Sequence, residues 1–238
     1  MIPVLDSVKA RRTPFVNVAF IAINLAVFIY ELTLNAADLN AFFLDYGIIP
    51  AQLDAWASDP DGFEESLTVV SATFIHGGWL HLAGNMLFLW VFGDNIEDAL
   101  GHIGYFVFYF VCAVGAAAAE VAFDTSSLLP VVGASGAVAG VLGAYLVLYP
   151  RGIITVLVPF FFFIPFPLPA FVIIVFWFLM QLASGVASIG TTEVSEGIAF
   201  WAHVGGFVTG FVILLVLRRF VKRRPYTQAR RGGRTQMW

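Results

Sequence analysis

The chain has 238 residues, of which 60% are hydrophobic and 12% charged, with a mean hydropathy of +0.87 and a net charge of −4. So much apolar side chain exceeds what one soluble core of this size can hide, which excludes a soluble enzyme, a disordered chain and a nucleic-acid-binding protein. An integral membrane protein remains; no segment alternates as the strands of a transmembrane barrel do, so an all-α, polytopic fold is expected.

Hydropathy predicts six spans in chain order: Phe15–Leu34, Leu80–Glu97, Ile103–Phe123, Ser135–Tyr149, Leu168–Ser184 and Phe200–Leu217. A bilayer-spanning helix needs roughly 20 mainly apolar residues, so the fourth is short. The first follows a basic start as a signal peptide would. Its apolar run is longer than a signal core, and it is read as a retained span. Phe160–Phe163 lies between Pro159 and Pro165 and reads as an interfacial loop. The expected organisation is a segment 1–14, a six-helix domain 15–217 and a basic tail 218–238.

The 12 Lys and Arg residues fall before the first span, at Arg151, and from Arg218 onward. With six spans these positions share one side, which the positive-inside rule makes cytoplasmic, both termini included. The loop from Asn35 to Trp79 carries seven acids and no Lys or Arg, and falls on the other side. It is long enough to hold short elements of its own. No internal repeat is present to suggest a transporter built from inverted repeats.

Ionisable groups inside spans are costly and mark function. His81 and Asn85 are four apart and share a helix face. His203 lies in the sixth span, and Ser135 opens the fourth. Ser135 precedes Arg151 by 16 residues and His203 precedes Arg218 by 15, heights of about 24 and about 22 Å at the rise of an α-helix. Gly136 and Gly140, and Gly206 and Gly210, form small-xxx-small seams that let backbones approach closely, with His203 on the same stripe as the second pair. A serine beside a histidine in a desolvated cleft is a nucleophile with its base. A helix that starts inside the membrane, at a cavity reached by water, explains why the fourth span is short. Taken singly, Ser135 would be a helix N-cap, the glycines packing, and His76 a brace for the first loop; agreement of depth, face and spacing favours the chemical reading.

At these residues the sequence resembles the rhomboid family of intramembrane serine proteases. The resemblance is carried by His81-Leu82-Ala83-Gly84-Asn85, Gly133-Ala134-Ser135-Gly136 and Ala202-His203-Val204-Gly205-Gly206 with Gly210. It implies a Ser135–His203 dyad, with Asn85, His81 and the Ser135 N–H stabilising the oxyanion. It implies single-pass transmembrane proteins as substrates, admitted sideways, with no metal or other cofactor. The family's Trp-Arg pair in the first loop is missing here. Where some members stack a tyrosine on the histidine stands Ala139, so His203 is held by other groups. The fifth helix, with Trp177 and Phe178, is the expected lateral gate, and Gly185–Gly197 the expected cap. A non-catalytic rhomboid-like binder of transmembrane clients would lack nucleophile or base. A channel would continue polar residues across the membrane; below Asn85 and His203 the spans are apolar and glycine-rich. No organelle-targeting segment is evident, and the expected location is a bacterial cytoplasmic membrane.

Overall fold

The computed structural model describes residues 2–58, 64–158, 164–188 and 199–221. The interfacial run at 160–163, most of the expected cap and most of the basic tail lie outside the described residues. Each of the six expected spans falls on a helix or helical run. These are α1 (Phe15–Glu31), a run of α5 (Trp79–Phe88), a π turn (Leu89–Gly93) and α6 (Asp94–Leu100), then α7 (His102–Phe123), α8 (Ser135–Leu148), α9 (Ala170–Ser188) and α10 (Phe200–Leu217). Three of them, α7, α9 and α10, are long and apolar enough to cross a membrane, while α1 and α8 are shorter apolar helices. The acidic loop folds into α2 (Ala36–Tyr46), α3 (Pro50–Ser58) and α4 (Glu64–Ser71), closed by a 3-10 turn at Ala72–Phe74.

Helix α8 is the axis of the bundle. Nearly every residue from Gly136 to Leu148 is buried, although the helix is only 14 residues long. Its glycines explain how three helices crowd around it. A β-carbon on Gly206 would strike the carbonyl oxygen of Gly136, and one on Gly210 that of Gly140; one on Gly140 would strike the Cys112 side chain of α7. The two seams therefore face each other, and van der Waals packing at this range is the principal attraction between helices that lipid cannot supply.

Helix α1 docks at the π turn: the Leu89 carbonyl accepts the Asn17 side-chain amide of α1 at 2.9 Å, while Tyr105 donates its hydroxyl to the same Asn17 at 2.8 Å. Buried glutamates close other gaps. Glu97 accepts the main-chain N–H of Val16 and Asn17 at 3.0 and 2.7 Å and so caps α1, which Pro14 leaves without a capping side chain. His102 pairs with the same carboxylate at 2.5 Å. Glu31 accepts from the His76 N–H at 3.2 Å.

The expectation of a purely helical chain needs one correction. Ile2–Asp6 (β1), Ile153–Val158 (β2) and Ile164–Pro169 (β3) form an antiparallel sheet in the order β1-β2-β3. The β-branched run Ile153-Ile154-Thr155-Val156 favours extended backbone. Prolines read as helix breakers and hid β3. Pro165, Pro167 and Pro169 share one parity opposite Leu157, Thr155 and Ile153, so their missing N–H groups suit the unpaired edge of an outer strand.

Asp6 ends β1 and locks the sheet to the bundle, accepting from Tyr145 Oη–H and Asn95 Nδ2–H, each at 2.8 Å. Burial pushes its carboxyl up to about 6, against the pull of these hydrogen bonds. A raised folded-state pKa means that the stabilisation is full below about pH 4 and is lost as pH rises through about 6. The melting temperature of Asp6→Asn in detergent should thus gain on the unaltered protein between pH 4 and pH 7, by the equivalent of about 1–2 kcal/mol. A difference that does not change with pH would show that Asp6 does not titrate in this range.

Candidate active site

The site is assembled where α5, α8, α9 and α10 converge. The segment before α8 is pinned by a bridge between Ile48 and Val131, with N–H to O distances of 3.0 and 2.7 Å, and by the Gly133 N–H donating to the Ala72 carbonyl at 2.8 Å. Gly133 has φ +127°, a left-handed conformation that a side chain would strain. A β-carbon there would also sit 2.6 Å from His81 Nε2. Glycine thus lets the chain turn sharply into α8 directly beside the His81 ring.

Ser135 is the first residue of α8, and the position before it is Ala134, which makes no side-chain capping bond. The serine does not serve as the N-cap. Its hydroxyl lies 2.7 Å from His203 Nε2. Ser135 and His203 reach each other beside the Gly136/Gly206 contact, because no side chain keeps the two backbones apart. A second carboxylate cap holds α10: Glu120 of α7 accepts the Ala202 N–H at 2.7 Å, one residue before His203.

Asn85 is buried at 6% exposure, and its amide donates to the His81 carbonyl at 3.1 Å. His81 lies between that residue and Gly133. His76 packs its ring on His81 at 5.0 Å, and neither of its buried ring nitrogens has a partner among the described residues. Burial, and then the proximity of His81, lower the His76 pKa to about 4. A neutral, enclosed ring held by its main chain to Glu31 fits the bracing role.

The aromatic candidates on α9 both face α10. Trp177 lies with its ring centroid 5.9 Å from that of His203, and Phe178 stacks on Phe207 at 4.3 Å. Sequence reasoning passed over Gln181 on the same helix. Its Oε1 lies 2.6 Å from His203 Nδ1. The signal was available, since Gln181 is the first polar side chain after eleven apolar residues from Ala170 to Met180, and polar groups at such depth are rarely incidental.

A small cavity opens beside Ser135, lined by Thr73, Ala113, Ala116, Ala117, Glu120 and Ala202 among others. Among the described residues, no group of three His, Cys, Asp or Glu side chains is placed to hold a metal ion.

This is a helical membrane protein with a hydrogen-bonded serine–histidine pair enclosed between its helices. The chain belongs to the rhomboid family: the profile of the Rhomboid domain matches residues 64–220. It is similar to Rhomboid protein 1, mitochondrial, of Saccharomyces cerevisiae, at 28% identity over 178 residues, 73% of this chain and 48% of the relative. It is 30% identical over 161 residues to RHOMBOID-like protein 4 of Arabidopsis thaliana, covering 65% of this chain and 34% of the relative. Rhomboid-like protein 11, chloroplastic, of the same plant is 31% identical over 140 residues, 57% of this chain and 44% of the relative. The chain thus spans half or less of the length of each of these relatives.

Proposed function

We propose that this chain is an intramembrane serine endopeptidase that cleaves transmembrane proteins near the outer membrane face. The observation that carries the reading is the Ser135 Oγ to His203 Nε2 hydrogen bond of 2.7 Å between two helices of a membrane bundle. Ser135 gives its proton to His203 as it attacks a peptide carbonyl, and His203 returns the proton to the departing amine. The developing oxyanion is met by the Asn85 amide, the His81 ring and the Ser135 N–H at the start of α8. The alanine-lined cavity beside Ser135 suits a small side chain next to the scissile bond.

In this reading all six helical runs cross the bilayer, with both termini cytoplasmic, an orientation that the placement of Lys and Arg supports. Helix α8, about 21 Å long at 1.5 Å per residue, starts below the outer surface of a roughly 30 Å hydrocarbon layer. Ser135 then faces a water-reached cleft. The expected bacterial location finds no support among the relatives named above, which are eukaryotic and of which two bear organellar names. The alternative, a binder of transmembrane clients without activity, has the same fold but no need of the Ser135–His203 contact.

Labelling of the purified protein by a fluorophosphonate separates the two readings. The proposal expects covalent label on the native chain and none on Ser135→Ala. Absence of label on a folded native chain would favour the binder.

The gate has its own test. Phe178→Ala removes the stack on Phe207 and loosens α9 without touching His203. Cleavage of a transmembrane substrate should rise or hold despite a lower melting temperature, and a short soluble peptide should respond less. Equal losses on both substrates would make Phe178 a support of the fold alone.

A further inference from the structure

The second ring nitrogen of His203 has to be accounted for. To take the proton of Ser135, Nε2 must be bare, so the imidazole proton must sit on Nδ1. A donor held between helices needs an acceptor, because an unpaired polar group in such surroundings costs free energy. In a triad an aspartate fills this place. Here, among the described residues, no carboxylate hydrogen-bonds the His203 ring. The group present is the neutral amide of Gln181, with its oxygen 2.6 Å from Nδ1.

The surroundings favour that arrangement over a chance contact. Trp177 is four residues earlier on α9 and lies against the same imidazole, so the two side chains share one helix face. Gly185, four residues later, completes the stripe: a β-carbon there would lie 3.2 Å from the Trp201 ring on α10. The stripe Trp177, Gln181, Gly185 is thus the seat of α9 on α10, and Gln181 sits at its centre. The other groups around the ring are His81 on α5, Ser135 on α8 and, one residue along the α10 main chain, Glu120 on α7. None of them is hydrogen-bonded to Nδ1.

We propose that Gln181 is the positioning residue of the Ser135–His203 pair, fixing the imidazole with its proton on Nδ1 and Nε2 free for the serine. The inference rests on the protease reading. It gives α9 a second task, because the helix that bears the candidate gate aromatics also holds the base in its working form.

Two substitutions test it, read by the rate at which a small fluorophosphonate labels Ser135 per folded molecule. Such a probe needs no lateral admission, so the rate reports the pair and not the gate. Gln181→Met keeps the length of the side chain and removes the acceptor. Its labelling should slow by at least about 10-fold; the wrong tautomer in a triad enzyme costs about 10⁴-fold, which is the upper bound. Gln181→Glu keeps an acceptor for Nδ1–H and should label within a few-fold of the native chain, even if its melting temperature is the lower of the two. A role confined to packing predicts the reverse order, since methionine fits an apolar seam better than a carboxylate. Native labelling in Gln181→Met, or equal slowing in both variants, would overturn the inference. If the native chain takes no label at Ser135, the protease reading fails first. If the native chain labels and Gln181→Met keeps pace, only the role of Gln181 falls.

Discussion

Ser135→Ala and His203→Ala should each reduce cleavage of a transmembrane substrate by at least about 10⁴-fold, while melting temperature and helical content stay close to those of the native chain. The size follows from the unit being indivisible. Without the hydroxyl there is nothing to acylate, and without the imidazole a serine at its ordinary basicity is a poor nucleophile. The double variant should be no worse than the slower single one, because a pair that acts together cannot be removed twice. The 2.7 Å contact predicts this non-additivity. Two losses that multiply would mean that the residues act separately. Full turnover by Ser135→Ala would remove the serine mechanism altogether.

Asn85→Ala should lower kcat by about 10²–10³-fold with little change in KM, the effect of losing one donor to an oxyanion. The residue is buried and has one amide hydrogen bonded within its own helix, to the His81 carbonyl. On the protease reading, the other would serve the reacting oxygen. An effect confined to KM would instead make Asn85 a substrate-binding or structural residue. Stopped-turnover measurements with saturating substrate in detergent would separate these outcomes, and a parallel melting curve would show whether the loss of the internal bond has loosened α5. A folded Asn85→Ala with native kcat would take the residue out of the chemistry.

The helical runs, the short elements of the first loop, the short fourth helix and the glycine seams were legible in the sequence because each leaves a one-dimensional trace. A run of apolar residues, a run of acids or a pair of glycines four apart needs no neighbour to be read. Ser135 and His203 were legible for a different reason. Their depths could be counted from basic anchors, and motifs bracketed both. Gln181 was missed because one amide in an apolar helix has no periodicity, and only the fold shows which ring it faces. The capping roles of Glu97 and Glu120 were missed likewise, since the N–H groups they accept lie some 80 residues away in sequence. The sheet was missed because β1 is five residues long and β3 alternates with proline. Both depend on β2 for their pairing, a dependence that no local window contains.

The glutamates carry a consequence for how the chain comes together. A helix usually closes its first turn with a residue of its own neighbourhood, and so can form before anything else arrives. Here α1 takes its closing acceptor from Glu97, the turn before α5 from Glu31, and α10 from Glu120. Each acceptor is delivered by another part of the chain, so docking is the moment at which the last main-chain donors leave water. In the bilayer an unsatisfied donor or a lone carboxylate is costly, and a copy interrupted before α10 would retain Glu120 without the Ala202 donor. An unfinished molecule is therefore chemically unlike a finished one, marked by a carboxylate whose Ala202 partner on α10 has yet to arrive.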